Sequence, residues 1–191
     1  MNMSNKSVDN LVFHERTEMI YKIIVIGDPN VGKTKLLTNF CGDKFMYEYV
    51  PTVGVNITKE RVTVKNDKGR DTDMSLMVWD IAGQPQFYML HRPYFNGADG
   101  MILVYNAMHS SSFSHIIKWY LTAIKFGLSE IPRILVGIKN TSKEERRIPL
   151  SLAKNLSKEL NAPFFETSTL TGEITSAIFL KMAELTLLSK F

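Results

Sequence analysis

Short apolar runs alternate with amphipathic stretches along most of the chain. Residues 21–26 read YKIIVI, a β-branched run closed by glycine, which predicts a buried strand. Residues 55–65 alternate apolar and polar positions, and the turn residues 66–69 lead into a further apolar run at 74–79, which predicts a hairpin. Three later runs predict strands at 100–105, 133–137 and 163–166.

Helical periodicity separates these strands. Residues 33–41 suit a helix, and apolar positions recur every three or four residues in three later segments. Those positions are Phe113, Ile116, Ile117, Tyr120 and Ile124; Leu152, Leu156 and Leu160; and Ile174, Ile178, Met182 and Leu185. Strands that alternate with helices predict an α/β fold with a six-stranded, mostly parallel sheet, one antiparallel strand, and helices on both faces. In such folds ligands bind at the carboxyl ends of the strands.

Length and charge narrow the class of protein. A chain of 191 residues predicts one domain, and we assign residues 1–17 to a polar tail and residues 18–191 to the domain. The 23 Lys and Arg residues against 19 Asp and Glu give a net charge of +4, scattered without a long basic run. This distribution argues against nucleic acid as a partner. The one cysteine, Cys41, allows no internal disulfide and suits a reducing compartment.

Membrane attachment is not expected from the sequence. The longest apolar stretches are far shorter than the ~20 residues of a spanning helix. The chain starts Met-Asn, which argues against myristoylation, and its last four residues, LSKF, hold no cysteine for prenylation. We therefore expect a cytoplasmic protein with no lipid anchor of its own, which reaches a membrane or organelle only through partners.

The first chemical motif follows the first predicted strand. Residues 27–34 read GDPNVGKT, which satisfies G-x-x-x-x-G-K-[ST]. The glycines let the backbone wrap a phosphate, and amides at the start of the following helix point at it. Lys33 neutralises the β and γ oxygens, and the Thr34 hydroxyl is placed to bind Mg²⁺. The strand before and the helix after supply the context that the motif requires, so it predicts a nucleotide phosphate site.

A second motif follows the strand at residues 74–79. Residues 80–84 read DIAGQ. Asp80 stands where a nucleotide-bound Mg²⁺ needs a carboxylate, Gly83 exposes a backbone N–H to a γ-phosphate, and Gln84 can orient water. Alone, D-x-x-G-Q is typical of a turn. After a phosphate loop on a neighbouring strand, it indicates a nucleoside triphosphatase.

These motifs, together with YVPTVG at residues 49–54 and GADGMILVY at 97–105, resemble the Ras superfamily of small GTPases, particularly its Rab and Rho-like branches. The resemblance covers about residues 21–188. It implies a P-loop fold, GTP or GDP with Mg²⁺ as ligands, and slow hydrolysis of GTP to GDP. It also implies a switch that works because the γ-phosphate orders two loops.

The resemblance implies roles for individual residues. Thr52 joins Thr34 and Asp80 at Mg²⁺, and Gln84, Lys33 and Thr52 serve hydrolysis. The nucleotide contacts carried over are Asn30, Val31, Gly32, Lys33, Thr34, Lys35, Phe45 on the guanine, Tyr49 over the phosphates, Thr52, Gly83, Lys139, Thr141, Ser168 and Thr169. Effectors, exchange factors and GTPase-activating proteins are expected to bind at residues 42–56 and 81–97 of a monomer.

The base-recognition residues depart from the family pattern. Where members read Asn-Lys-x-Asp, residues 138–141 read IKNT, so Ile138 replaces the bracing asparagine and Thr141 the aspartate that accepts from guanine. Lys139 remains, and Thr169 still supplies a backbone N–H. Loss of a charged acceptor is expected to cost ~2 kcal/mol or more in guanine recognition.

Two prolines bear on hydrolysis. Pro29 occupies a glycine position of the family's phosphate loop, where its ring is expected to crowd Gln84. Pro85 follows Gln84, and proline suits a first helical position while it disfavours helical geometry in the residue before it. We therefore expect the second-switch helix to begin at Pro85, with Gln84 extended.

The remaining chemistry-bearing residues have ordinary interpretations. The four histidines, at positions 14, 91, 109 and 115, lack metal-ligand spacing and are expected in loops or on the surface. Cys41 is expected to be buried filler, and residues 143–147, KEERR, a solvated loop. The aromatic residues at 87, 88, 94 and 95 are interpreted either as core or as part of a partner surface.

Two alternatives to the switch stay open at this point. One is a nucleotide-locked or weakly binding scaffold whose altered base loops have ended switching. The other is a P-loop kinase or ATPase of another family, which needs an acceptor pocket and lid arginines that the sequence does not place. The nucleotide that co-purifies with the protein separates the three.

Overall fold

Six strands form the sheet at the centre of the computed structural model, which describes residues 18–42, 54–83, 91–139, 146–168 and 170–190. All six predicted strands are present, and several are longer than predicted because the sheet pairs their flanking residues. The strands are β1 (Ile20–Ile26), β2 (Val55–Lys65), β3 (Asp71–Ile81), β4 (Gly100–Asn106), β5 (Arg133–Lys139) and β6 (Phe164–Ser168).

Helices connect and cover these strands. The predicted helix at residues 33–41 is confirmed. The described helices are α1 (Lys33–Cys41), α2 (His91–Phe95), α3 (Ser110–Ser114), α4 (Ile116–Lys125), α5 (Leu150–Glu159) and α6 (Thr175–Leu188). In the described ranges no helix has the length and apolar character needed to cross a membrane.

The strand order places β1 at the middle of the sheet. The order is β2-β3-β1-β4-β5-β6, and only β2 runs antiparallel to its neighbour. The β2–β3 hairpin turns at Gly69, whose φ of 69° favours glycine, and the Asn66 side chain accepts from the backbone N–H groups of Lys68 and Arg70. The predicted α/β fold, with one antiparallel strand, is confirmed.

The core lies on both faces of the sheet because neighbouring strand residues point to opposite sides. Ile24 and Ile26 of β1 belong to the apolar cluster covered by α4 and α5. Ile23 and Val25 belong to the cluster covered by α1 and α6. All seven residues of β4 are buried, as expected for an interior strand of a parallel sheet. The sheet carries the loops at the carboxyl ends of its strands.

The predicted inward faces of three helical segments are partly wrong. Ile117, Leu152 and Ile174 are exposed by 40%, 49% and 46%. In α4 the buried positions include Ile116 and Trp119, because α3 and α4 are separate helices that meet at His115 and this break changes the register. In α5 the buried residues are Ala153 and Leu156, and Ile174 precedes α6 in a left-handed conformation.

Candidate functional site

The loop between β1 and α1 has a backbone that its glycines make possible. Gly27 has a φ of 149°, and a Cβ there would lie 2.1 Å from the carbonyl oxygen of Val104 on β4. Gly32 has a φ of 104° and caps α1. Both positions are closed to ordinary side chains. The strand–loop–helix arrangement that the GDPNVGKT motif requires is therefore present.

Lys33 is the charged group at the centre of this loop. Its side chain is only 6% exposed, and Nζ donates to the carbonyl oxygens of Gly27 (2.9 Å) and Asp28 (2.7 Å). Burial lowers the pKa of Lys33 to about 8, while the carboxylates of Asp80 and Asp28 act in the opposite direction. The neighbouring Lys35 is exposed. Of the two lysines at the start of α1, Lys33 is therefore enclosed by the loop and Lys35 faces solvent.

Two oxygen-bearing side chains meet beside Lys33. The Thr34 hydroxyl donates to a carboxylate oxygen of Asp80 at 2.5 Å. Asp80 is 1% exposed and lies opposite Val25 in the β1–β3 register, one residue before β3 ends. A hydroxyl beside a buried carboxylate is a donor set of the hard oxygen type that Mg²⁺ prefers. These residues fit the cation that the sequence predicts.

That cation would depend on few protein ligands. Within the described ranges, no group of three or more His, Cys, Asp and Glu side chains is arranged to hold a metal ion. Mg²⁺ is commonly bound through one or two side-chain oxygens together with phosphate oxygens and water. The Thr34–Asp80 pair matches this mode of binding, in which a nucleotide completes the coordination.

Gly83 brings the second predicted motif against the first. A Cβ at Gly83 would lie 2.5 Å from the carbonyl carbon of Asp28 and from the nitrogen of Pro29. Only a residue without a side chain permits this approach of two backbones. The preceding residue, Ala82, donates its N–H to the carbonyl oxygen of Gly54 at 2.9 Å. The end of β3 thus contacts the phosphate loop and the segment leading into β2.

Two residues predicted to hold the base are described, and they lie two and three strands away from β1. Lys139 and Ser168 are register partners at the ends of β5 and β6, and both are half-buried. At about 4.8 Å per strand, β5 is ~10 Å from β1, a span suited to a nucleotide. Ile138 is fully buried in the apolar cluster that also contains Val31. An apolar contact therefore stands where the resemblance predicts a polar brace.

The segment that returns from the base loop is anchored by an ion pair. Arg146 pairs with Glu166 of β6 and also donates to the carbonyl oxygen of Ile148 at 2.9 Å. Tyr105 lies against Gly137, where a Cβ would be 2.7 Å from its hydroxyl oxygen. Burial, followed by the negative charge of Glu166, raises the pKa of Tyr105. Arg146 and Glu166 were not singled out by the sequence, which placed residues 143–147 in a solvated loop.

A contact between the phosphate loop and α4 was also missed. The Asp28 carboxylate is bonded to His115 Nδ1 at 2.7 Å and accepts from Trp119 Nε1 at 2.9 Å. The sequence predicts an ordinary loop or surface histidine at 115, and the His115 side chain is 50% exposed. No local pattern could have revealed the pair, because 87 residues separate them along the chain.

Several predicted residues lie outside the described ranges. They are Phe45, Tyr49, Thr52, Gln84, Thr141 and Thr169. The predicted helix start at Pro85 and the crowding of Gln84 by Pro29 also concern residues outside those ranges. Of the predicted partner segments, residues 42, 54–56, 81–83 and 91–97 are described.

Two of the four aromatic residues left open by the sequence are described. Phe95 is fully buried and belongs to the core. Tyr94 is half-buried and packs against Trp79, with ring centroids 6.4 Å apart. Cys41 is buried, as expected of filler.

Comparison with known proteins agrees with this arrangement. The model of the Ras family matches residues 22–187. The chain is 32% identical to the Ras-related protein Rab-1C of Dictyostelium discoideum, over 89% of this chain and 82% of that protein. It is 31% identical to the Ras-related protein SEC4 of Candida albicans, over 96% and 83% of the two chains. It is 30% identical to the GTP-binding protein ypt1 of Schizosaccharomyces pombe, over 87% and 79%.

Proposed function

The chain belongs to the Ras family of small GTPases, which bind GTP or GDP with Mg²⁺ and hydrolyse GTP, and on that premise we propose a switch built on the carboxyl edge of its sheet. The observation that carries the proposal is the meeting of Lys33 with the Thr34–Asp80 pair beside a glycine-shaped loop. A buried cation next to two oxygen ligands matches a Mg²⁺–polyphosphate. Family membership also sets aside a kinase or ATPase of another family.

The phosphate end of the site divides its tasks among backbone and side chains. Lys33 neutralises the β and γ oxygens of the phosphates. To do so, its Nζ gives up its hydrogen bonds to the carbonyl oxygens of Gly27 and Asp28 and donates to phosphate oxygens instead. Phosphate oxygens also accept from the backbone at the start of α1. The backbone contacts proposed there are those of Asn30, Val31, Gly32, Lys33, Thr34 and Lys35.

Thr34, Asp80 and Thr52 are the residues proposed to hold Mg²⁺. When bound, Mg²⁺ neutralises charge on the transferred phosphate and orients its oxygens. Gly83 presents its N–H to the γ-phosphate from its position against the phosphate loop, and Gln84 orients the attacking water. Tyr49 covers the phosphates.

Hydrolysis by the protein alone is proposed to be slow. Residues 42–54 contain no arginine, so that segment supplies no arginine finger in cis. GTPases without one turn over at about 10⁻⁴ to 10⁻³ per second and gain up to ~10⁵-fold from a partner that supplies it. We place such partners, together with effectors and exchange factors, at residues 42–56 and 81–97, the segments that respond to the γ-phosphate.

The base end is proposed to bind guanine more weakly than in other family members. Lys139 stacks its stem on the base with Phe45 on the other side, Thr169 and Ser168 supply polar contacts, and Thr141 replaces the charged acceptor. The burial of Ile138 supports this proposal, because an apolar residue in that cluster cannot brace the loop by hydrogen bonds. The same observation favours the second candidate, a scaffold that binds nucleotide weakly or does not exchange it.

The remaining features of the proposal concern the whole protein. We propose a monomeric domain over residues 18–191 with a polar tail at residues 1–17. We propose that it stays in the cytoplasm unless partners bring it to a membrane.

The nucleotide that co-purifies with the protein tests the function. The bound nucleotide is released by denaturation and quantified by chromatography, and we expect close to one equivalent of GDP or GTP. ATP or ADP in its place would contradict the guanine site. Protein that carries no nucleotide and binds no added GTP with Mg²⁺ would instead support the scaffold.

Single-turnover hydrolysis tests the rate. We expect GTP loaded on the purified protein to be hydrolysed at about 10⁻⁴ to 10⁻³ per second, and more slowly in Gln84→Leu, because leucine cannot orient water. A rate near one per second, or a Gln84→Leu variant as fast as its parent, would contradict the proposed mechanism.

A further inference from the structure

Asp28 places an acidic side chain inside a loop proposed to bind phosphates. A carboxylate on the phosphate side would repel the nucleotide and compete with it for the Lys33 ammonium. In the structure both oxygens of this carboxylate are engaged at the start of α4, one by Nδ1 of His115, which immediately precedes α4, and one by Trp119 Nε1. The main-chain carbonyl oxygen of the same residue accepts from Lys33 Nζ. Side chain and main chain of Asp28 are thus held by different elements.

His115 and Trp119 are well placed to restrain the carboxylate. His115 and Trp119 are four residues apart, so they lie on the same face of the helix turn. Trp119 is 8% exposed and belongs to the apolar cluster beneath α4, which fixes the position of its indole N–H. His115 stands at the junction of α3 and α4 and is half-exposed. One donor is therefore rigid and the other is open to solvent.

Asp28 also lies at the point where the second motif touches the loop. A Cβ at Gly83 would be 2.5 Å from the Asp28 carbonyl carbon. A shift of Asp28 would therefore press its backbone against Gly83, the residue proposed to donate to the γ-phosphate. Any change at α4 that releases the carboxylate reaches both the Lys33 ammonium and the Gly83 backbone.

We propose that His115 and Trp119 are positioning residues that hold the Asp28 carboxylate on the α4 side of the phosphate loop and so couple α4 to nucleotide binding. The inference rests on the proposed function, since it concerns affinity for a nucleotide. These contacts would let α4 influence nucleotide affinity, in addition to the two proposed partner segments at residues 42–56 and 81–97. Loss of the two donors releases a negative charge into the phosphate site, and the nucleotide then dissociates faster.

The test measures dissociation of a fluorescent GDP analogue in the presence of Mg²⁺. We expect the double variant His115→Ala/Trp119→Phe to release the analogue at least tenfold faster than the parent. Adding Asp28→Asn to that double variant removes the charge that was released, so dissociation should slow again by at least fivefold. Lys118→Ala, an exposed change on the same helical turn, is the matched control and should dissociate like the parent.

Rescue separates this coupling from a purely structural role. If the contacts only support the fold, the third substitution adds to the damage, and a triple variant as fast as the double variant would overturn the inference. The single variant His115→Ala, at a half-exposed position, repeats the test without altering the core; its faster dissociation should likewise be slowed by Asp28→Asn. A parent that does not bind the analogue would refute the proposed function itself, whereas a binding parent without rescue refutes only the coupling.

Discussion

The phosphate end and the base end of the candidate site are built in different ways. At the phosphate end, Lys33, Thr34 and Asp80 come from α1 and β3, and their contacts are ionic or charge-assisted. At the base end, Lys139 and Ser168 remain, but Ile138 is buried among apolar side chains. Charge-assisted hydrogen bonds contribute about 1.5–3 kcal/mol and neutral ones about 1 kcal/mol. We therefore expect affinity to reside at the phosphate end and discrimination between bases to be reduced.

Binding of phosphates and discrimination between bases depend on different groups in a site of this kind. Phosphates are common to every nucleotide, so the groups that hold them bind without regard to the base. A base is distinguished by hydrogen bonds that a wrong base leaves unmade. Ile138 packs in the apolar cluster beneath β5, so it supports the sheet. In the proposed site it provides no polar brace for the base loop, and we expect discrimination between bases to be reduced.

Lys33→Ala should have the largest effect, because it tests the phosphate end directly. The variant loses the buried cation, and with two charge-assisted bonds removed we expect affinity for a fluorescent GDP or GTP analogue to fall by at least ~100-fold. Lys35→Ala is the matched control, since Lys35 is the next lysine along and is exposed. A loss of less than about tenfold in Lys33→Ala with Mg²⁺ present would show that affinity does not depend on this end.

Restoring the base end should have an intermediate effect. In the double variant Ile138→Asn/Thr141→Asp, a carboxylate returns with its brace, and we expect GTP to bind roughly 10- to 100-fold more tightly. ATP should gain nothing, because it presents an acceptor at N1 and an amino group at C6. Ile138→Asn/Thr141→Asn is the uncharged control. Equal GTP and ATP affinities in both the parent and the double variant would mean that the base is not recognised at these residues.

A change at the opposite edge of the sheet should have the smallest effect. Glu18 precedes β1 and accepts from Lys59 Nζ at 2.7 Å and Ser75 Oγ at 2.6 Å. These bonds, that to Lys59 first, lower the pKa of Glu18 from its ordinary 4.5 to about 2. We expect Glu18→Gln to leave nucleotide affinity unchanged and to lower the thermal unfolding midpoint slightly at pH 7.

The pH dependence of that small loss has a defined sign. A carboxyl whose pKa is lowered by folding adds stability above its unfolded pKa and loses this contribution as the pH falls towards its folded pKa. The difference between parent and Glu18→Gln should therefore be full at pH 7 and shrink between pH 4.5 and about 2. A difference that stays constant over this range would show that Glu18 acts by some means other than its charge.

Much of the fold could be predicted from the chain because strand and helix periods are local. The runs at residues 21–26 and 55–65 correspond to observed strands, and GDPNVGKT lies between a strand and a helix as the motif requires. The errors lie where tertiary packing decides. Ile117 fits an apolar helical period, yet the break at His115 separates α3 from α4, and Ile117 faces outward.

In the site, the parts that depend on backbone shape could be predicted from the sequence. Gly27 and Gly32 have positive φ angles, and Gly83 allows two backbones to touch. A glycine at each of these positions indicates an unusual backbone shape from the sequence alone. Lys33 and Thr34 are adjacent at the start of a helix, so their placement could also be predicted from neighbouring residues. Such constraints are readable because they belong to one residue or to a few adjacent ones.

Which distant side chains form hydrogen bonds and ion pairs depends instead on how the elements pack. Asp28 is bound by His115 and Trp119 across the sheet edge, and Arg146 is paired with Glu166 on β6. A carboxylate needs donors within hydrogen-bonding distance, but the chain does not specify which of many donors will arrive there until helices and strands have packed. The donors that reach Asp28 follow from the strand order and from the position of α4 over the core. This packing brings His115, which has no distinctive sequence pattern, within hydrogen-bonding distance of the loop between β1 and α1.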